Sequence, residues 1–119
     1  MPESPIVAVE ELAELVVCHV LAESLDEEHV HQVQSEVRAA AEANPGRPCI
    51  LDLARVSFVP SLSLAALIRI HSEFHARQQR LLLAALQPQV HDVFVMTRLD
   101  RVFELYDDLP AALRAVGPG

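Results

Sequence analysis

The sequence predicts an α/β fold: a mixed, mostly parallel sheet of four to five strands with about four helices. Three observations point that way. Short apolar runs rich in Val, Leu and Ile recur along the chain, separated by stretches with apolar residues at helical spacing. The order read from these patterns is β-β-α-β-α-β-α-β-α, and strands that alternate with helices need crossover connections, which leave neighbouring strands parallel. The central run Cys49-Ile50-Leu51-Asp52-Leu53 is nearly continuous in its apolar character, as suits a strand covered on both faces.

The elements follow in order. Residues 6–9 and the Val-rich residues 12–21 are β-prone and pair as a hairpin across Glu10-Glu11. Asp26 reads as an N-cap, with Glu27 and Glu28 at the positive end of a helix. Val30, Val33, Val37 and Ala40 or Ala41 form that helix's buried stripe, and Asn44-Pro45-Gly46 ends it. After the strand at 49–53, Val56-Ser57-Phe58-Val59 runs into Pro60, which closes the strand region. A helix beginning near Ser61 or Ser63 then carries Leu64, Leu67, Ile68, His71 and Phe74 on one face. Residues 81–86 make the fourth strand, and Pro88 opens a helix with Val90, Val93 and Phe94 inward. Residues 102–106 are the last strand. Asp107 or Asp108 caps a final helix carrying Leu109, Ala112, Leu113 and Val116, and Gly117-Pro118-Gly119 stops it.

A chain of 119 residues fits one domain over 1–119, large enough to bury a core without disulfides or a structural metal. With 4% aromatic residues and no Trp, that core is aliphatic. Nine cations, all Arg, stand against seventeen carboxylates, a net charge of -8. An acidic surface repels nucleic acid and anionic membranes and favours a basic protein surface as its complement. Cys18 and Cys49 lie in apolar runs with no CxxC spacing, so both read as buried free thiols of a reduced compartment. The N-terminus lacks signal-peptide regions and no apolar run is long enough to span a bilayer, so the expectation is a cytoplasmic protein.

Catalytic machinery is not visible. His71 and His75 are spaced i, i+4, but no Cys or carboxylate accompanies them at metal-motif spacing, and a partly buried histidine is the favoured reading. His29 and His31 point to different faces of their helix. Glu27-Glu28 and Asp107-Asp108 sit at helix starts, where each carboxylate contributes about 0.3–1 kcal/mol, so capping is favoured over acid/base work. The three glycines, Gly46, Gly117 and Gly119, make no phosphate loop, and no nucleophile elbow is present. The expectation is a non-enzyme with no cofactor and no metal.

Three segments carry a family resemblance that spans nearly the whole chain. Glu23-Ser24-Leu25-Asp26 resembles a Gly-x-Leu-Asp turn, residues 50–59 resemble a Leu-Asp-Leu-x-x-Val-x-Phe strand, and Gln87-Pro88-Gln89-Val90 with Phe94 and Leu99 resembles the segment after the fourth strand. Together they resemble the STAS family, which includes anti-sigma-factor antagonists. The resemblance implies a STAS-like fold and a protein-binding regulatory module that docks on a serine-kinase-like anti-sigma factor in partner switching. An accessory subunit of an ABC-type lipid or solute transport complex, docked on its ATPase, is the alternative. No direct membrane insertion is implied, and an N-terminal edge strand offers a route to a homodimer.

In that family the segment after Phe58-Val59 normally reads Asp-Ser-Ser-Gly-Leu-Gly, and a serine there is phosphorylated by the partner. This chain reads Pro60-Ser61-Leu62-Ser63-Leu64-Ala65. Leu62 stands at the usual acceptor and cannot take phosphate, which implies a surface not switched at that position. A second branch of the family, the stressosome scaffold proteins, places its acceptor where Ser61 stands. Ser61 and Ser63 are therefore the phosphoacceptor candidates, with N-terminal helix capping the favoured alternative for each. Asp26, Pro60, Ser61, Leu62, Ser63 and Leu64 form the implied partner-binding face.

Overall fold

The computed structural model describes residues 4–117. It contains all the predicted elements in the predicted order: β1 (Val7–Glu11), β2 (Val16–Val20), α1 (Glu27–Ala43), β3 (Cys49–Asp52), α2 (Leu64–Ala76), β4 (Leu81–Ala84), α3 (Pro88–Met96), β5 (Glu104–Tyr106) and α4 (Leu109–Val116). The five strands form one sheet in the order β1-β2-β3-β4-β5. β1 runs antiparallel to β2, and every other neighbouring pair is parallel.

Alternation along the strands divides the interior in two. Val16, Cys18, Val20, Cys49, Leu51, Leu81 and Leu83 face one side, where Val30, Val33, Val37, Leu67, Ile70, Phe74, Val90 and Phe94 of α1, α2 and α3 cover them. Val17, Ile50, Leu82 and Ala84 face the other side, against Ala112, Leu109 and Leu113 of α4. β3 and β4 are thus apolar at almost every position because both faces are covered, as their sequences required.

Several boundaries differ from the sequence reading, each for a local reason. Glu10 and Glu11 belong to β1, and the hairpin turns later: the Leu12 amide donates to the Leu15 carbonyl at 2.9 Å, and Leu15 is drawn into the core beneath α4. The apolar stripe of α2 is Ala66, Leu67, Ile70 and Phe74, while Ile68 is 41% exposed. Ala66, Ile70 and Phe74 recur at i+4 beneath Leu67, and small Ala66 permits close approach to α1, so the buried face is rotated from the one read off the larger residues. Residues 56–59 contribute only a single parallel bridge, Ser24 to Phe58. β4 ends at Ala84 because Ala85 adopts φ 63°, which breaks the ladder. β5 starts at Glu104, after a 3-10 turn over Leu99–Arg101. Beyond α1, Gly46 rather than Asn44 takes the left-handed conformation (φ 77°), while Asn44 is buried with its amide on Glu11 and the Ala40 carbonyl. Pro118 and Gly119 of the expected terminal stop lie outside the described residues.

β1 is a free edge of the sheet, and it is partly blunted. The Glu36 carboxylate accepts from the backbone amides of Ile6 and Val7 at 3.0 and 2.9 Å. An edge amide bonded in this way is not offered to another strand.

Candidate docking site

Three loops at the carboxyl end of the parallel strands are tied into one rim. The loop after β3 is shaped first by its own residues: the Asp52 carboxylate accepts from the Ala54 amide at 3.0 Å, and the Val56 amide donates to the Leu53 carbonyl at 3.0 Å. The loop after β2 joins it through the Ser57 amide on the Glu23 carbonyl (2.8 Å) and the Leu25 amide on the Phe58 carbonyl (2.9 Å). The third loop, after β4, contributes Gln87, whose side-chain amide donates to the Ala54 carbonyl at 2.9 Å, and Gln89 at the start of α3 reaches the Ser57 carbonyl at 3.3 Å. Buried Val56 and Val59 anchor the segment from below.

This scaffold places the predicted residues in distinct positions. Asp26 caps α1, accepting from the His29 amide at 2.9 Å. Pro60 holds the chain extended (φ -68°, ψ 154°) up to a 3-10 turn over Ser61–Ser63 that leads straight into α2. Ser61 is exposed, and Leu62 projects with 80% of its surface in solvent. Ser63 lies fully buried, its hydroxyl donating to the Leu25 carbonyl. Leu64 is half-buried and packs on the core. Neither serine makes a side-chain cap: Pro60 occupies the cap position of the 3-10 turn, and Ser63, at the cap position of α2, turns inward to Leu25. Of the six, Ser61 and Leu62 are exposed, Asp26, Pro60 and Leu64 are half-buried, and Ser63 is buried.

Sequence reasoning missed Phe58, which is 57% exposed. In the sequence it stands only as part of the run that leads into Pro60, and it is the burial of Val56 and Val59 that leaves Phe58 pointing out. Sequence reasoning also missed a groove of about 190 Å³ beside Leu62, lined by Glu27, Val30 and His31 of α1 and Ala65, Ala66 and Arg69 of α2.

The remaining reactive groups are placed structurally. Burial pushes the Cys18 thiol up to about 12, with a further rise from Cys49, and burial pushes Cys49 up to about 11. Both stay protonated and unreactive at neutral pH. His71 and His75 stack with ring centres 6.2 Å apart, and His71 meets the edge of Phe103. Among the described residues no three His, Cys, Asp or Glu side chains are grouped to hold a metal ion. His19 lies between Asp52 (2.7 Å) and Glu10 (3.1 Å). Burial opposes its charge, but hydrogen bonds to both carboxylates and their negative charges outweigh that, so the imidazole titrates above its ordinary value.

Among the described residues no helix is long and apolar enough to cross a membrane. The chain is similar in structure to an anti-sigma-factor antagonist (STAS) domain protein from Planctomyces limnophilus, with 26% identity, a TM-score of 0.79, and 93% of this chain matched to 97% of that one. It is also similar to an anti-sigma factor antagonist from Mycobacterium paratuberculosis (24% identity, TM-score 0.79, 92% of each chain). A likeness of fold extends to the murine Solute Carrier 26 family member A9 anion transporter, where the match takes in 90% of this chain and 18% of the transporter (16% identity, TM-score 0.77). The family model for the STAS domain matches residues 7–112. With the rim in place and nearly the whole chain covered by that match, the protein belongs to the STAS domain family.

Proposed function

We propose that this chain is a cytoplasmic regulatory module of the anti-sigma-factor-antagonist kind, which works by docking its rim on a serine-kinase-like anti-sigma factor. The observation that carries the reading is Leu62: a leucine held 80% exposed, on a rim that three loops make rigid. An exposed apolar side chain on a pre-ordered support is available as an anchor for a protein contact, and it is the place of Leu62 on the rim, more than its exposure alone, that supports the reading. The structural likeness to anti-sigma factor antagonists over nearly the full chain supports the same reading.

Leu62 stands where the resembled family carries its usual acceptor, so docking here is not switched at that position. Ser61 is the phosphoacceptor. It is exposed beside Leu62, whose groove also carries Glu27, and a phosphate there would add close to two negative charges and disrupt an apolar contact. Ser63 serves as a support, since a hydroxyl without solvent access and already bonded to Leu25 is closed to a kinase.

The test is co-purification of the chain from its native cell, followed by phosphosite mapping of Ser57, Ser61 and Ser63, with Leu62→Asp in parallel. A kinase-like ATPase retained by the wild type and lost with Leu62→Asp is expected. Retention of that partner by Leu62→Asp, or recovery of a transporter ATPase instead, overturns the proposal.

A further inference from the structure

The face between α1 and α2 is sealed along one part and open along another. Arg38 of α1 meets Glu73 of α2 at 2.7 Å, and Glu42 of α1 meets Arg77 just beyond α2 at 3.1 Å, so ion pairs close the helix pair toward its C-terminal ends. Toward the N-terminal ends no such pair forms among the described residues. Instead the groove beside Leu62 opens, with buried Val30 and Ala66 as its floor, Glu27 and His31 on one wall and Arg69 on the other. Arg69 is exposed and, among the described residues, takes part in no ion pair or side-chain hydrogen bond. The groove therefore carries opposite charges on its two walls. An apolar floor lies between the walls.

From this arrangement we infer that the docking partner supplies an amphipathic helix, laid between the N-terminal ends of α1 and α2 with a large apolar side chain seated beside Leu62. Its lysines or arginines face Glu27, and a carboxylate on its opposite flank faces Arg69. The inference rests on the proposed docking role of the rim and adds the chemistry and polarity of the partner. A groove between two packed helices can take the side-chain ridge of a third. Complementary charge fixes which way round that helix lies, because the reversed orientation sets Glu27 against carboxylates and Arg69 against cations. Phe58, also exposed, precedes Leu62 by four residues, a span of at most about 14 Å, which is within the reach of a standard interface of about 800 Å² on each side.

The experiment places a photocrosslinking benzophenone amino acid at Ala65, on the groove wall, and at Arg114, exposed on α4, in the source cell. The crosslinked partner peptide is then sequenced, and the affinity of the purified partner is measured for wild type, Leu62→Asp, Arg69→Glu and Glu27→Arg. Circular dichroism checks that each variant is folded. We expect an adduct at position 65 on an amphipathic helix with basic and acidic flanks. We also expect at least tenfold weaker binding for Arg69→Glu and for Glu27→Arg, with recovery when the facing partner residue is reversed in charge. If Leu62→Asp abolishes binding while Arg69→Glu and Glu27→Arg bind within twofold of wild type, this inference falls and the docking role stands. If no adduct forms at position 65, this inference falls and the docking role stands; if Leu62→Asp binds as wild type, both fall.

Discussion

The hydroxyl of Ser63 donates to the main-chain carbonyl of Leu25, a residue thirty-eight positions earlier, and both residues are fully buried. That bond ties the entrance of α2 to the loop before α1. Removing it leaves a buried carbonyl short of a partner, a loss of about 1–3 kcal/mol. Ser63→Ala is expected to lower unfolding stability by that amount in urea titration. Ser61→Ala, on the exposed side of the same turn, is expected to stay within about 0.5 kcal/mol of wild type. Equal effects of the two substitutions would contradict the placement of these serines.

His19 makes the β1-β2-β3 side of the sheet sensitive to pH. Its folded value is raised above the ordinary histidine value, because contacts with Glu10 and Asp52 outweigh the opposing effect of burial. The stabilisation is thus fully present below the ordinary value of about 6.5 and is lost as pH rises through the higher folded value. In denaturation at several pH values, the stability advantage of wild type over His19→Gln is expected to be full below about 6.5 and to shrink as pH rises through the raised folded value. An advantage that grows with pH would reverse the assignment.

Thiol chemistry offers a separate check on the core. With Cys18 pushed up to about 12 and Cys49 up to about 11, neither forms appreciable thiolate at neutral pH, and both lie inside the sheet's helix-covered face. Ellman's reagent is expected to leave the native protein unmodified near pH 8 and to titrate two thiols once denaturant is added. Rapid reaction of either cysteine in the folded protein would show that this face opens.

Among the described residues, three other than glycine occupy left-handed backbone conformations: Gln78 (φ 57°), Ala85 (φ 63°) and Arg98 (φ 62°). A side chain at such a position costs roughly 1–2 kcal/mol, of which glycine returns part while adding disorder to the unfolded chain. Gln78→Gly and Arg98→Gly, both on the surface, are expected to raise stability by about 0.5–1 kcal/mol each, read as a higher melting temperature. A fall in melting temperature for both would mean that their side chains contribute more than the backbone strain costs.

Local pattern determined the order of the strands and helices, the cap at Asp26, a cap at Asp107 or Asp108 (the structure selects Asp108), and the apolar stripe of α1. These depend on periodicity and on side chains bonding a few positions away. The same logic made β3 and β4 legible as doubly covered strands. What the tertiary structure alone decided is which way single residues point at the rim. Ser61 and Ser63 are chemically identical and two positions apart, yet only the arrival of Leu25 from a distant loop turns one inward and leaves the other in water. Phe58 faces out because Val56 and Val59 are claimed by the core, and the groove beside Leu62 exists because α1 and α2 close through ion pairs only toward their far ends. A hydrophobic pattern records how much of an element is buried. Which neighbour does the burying, and therefore what remains exposed for a partner, is settled by contacts between segments far apart in the chain.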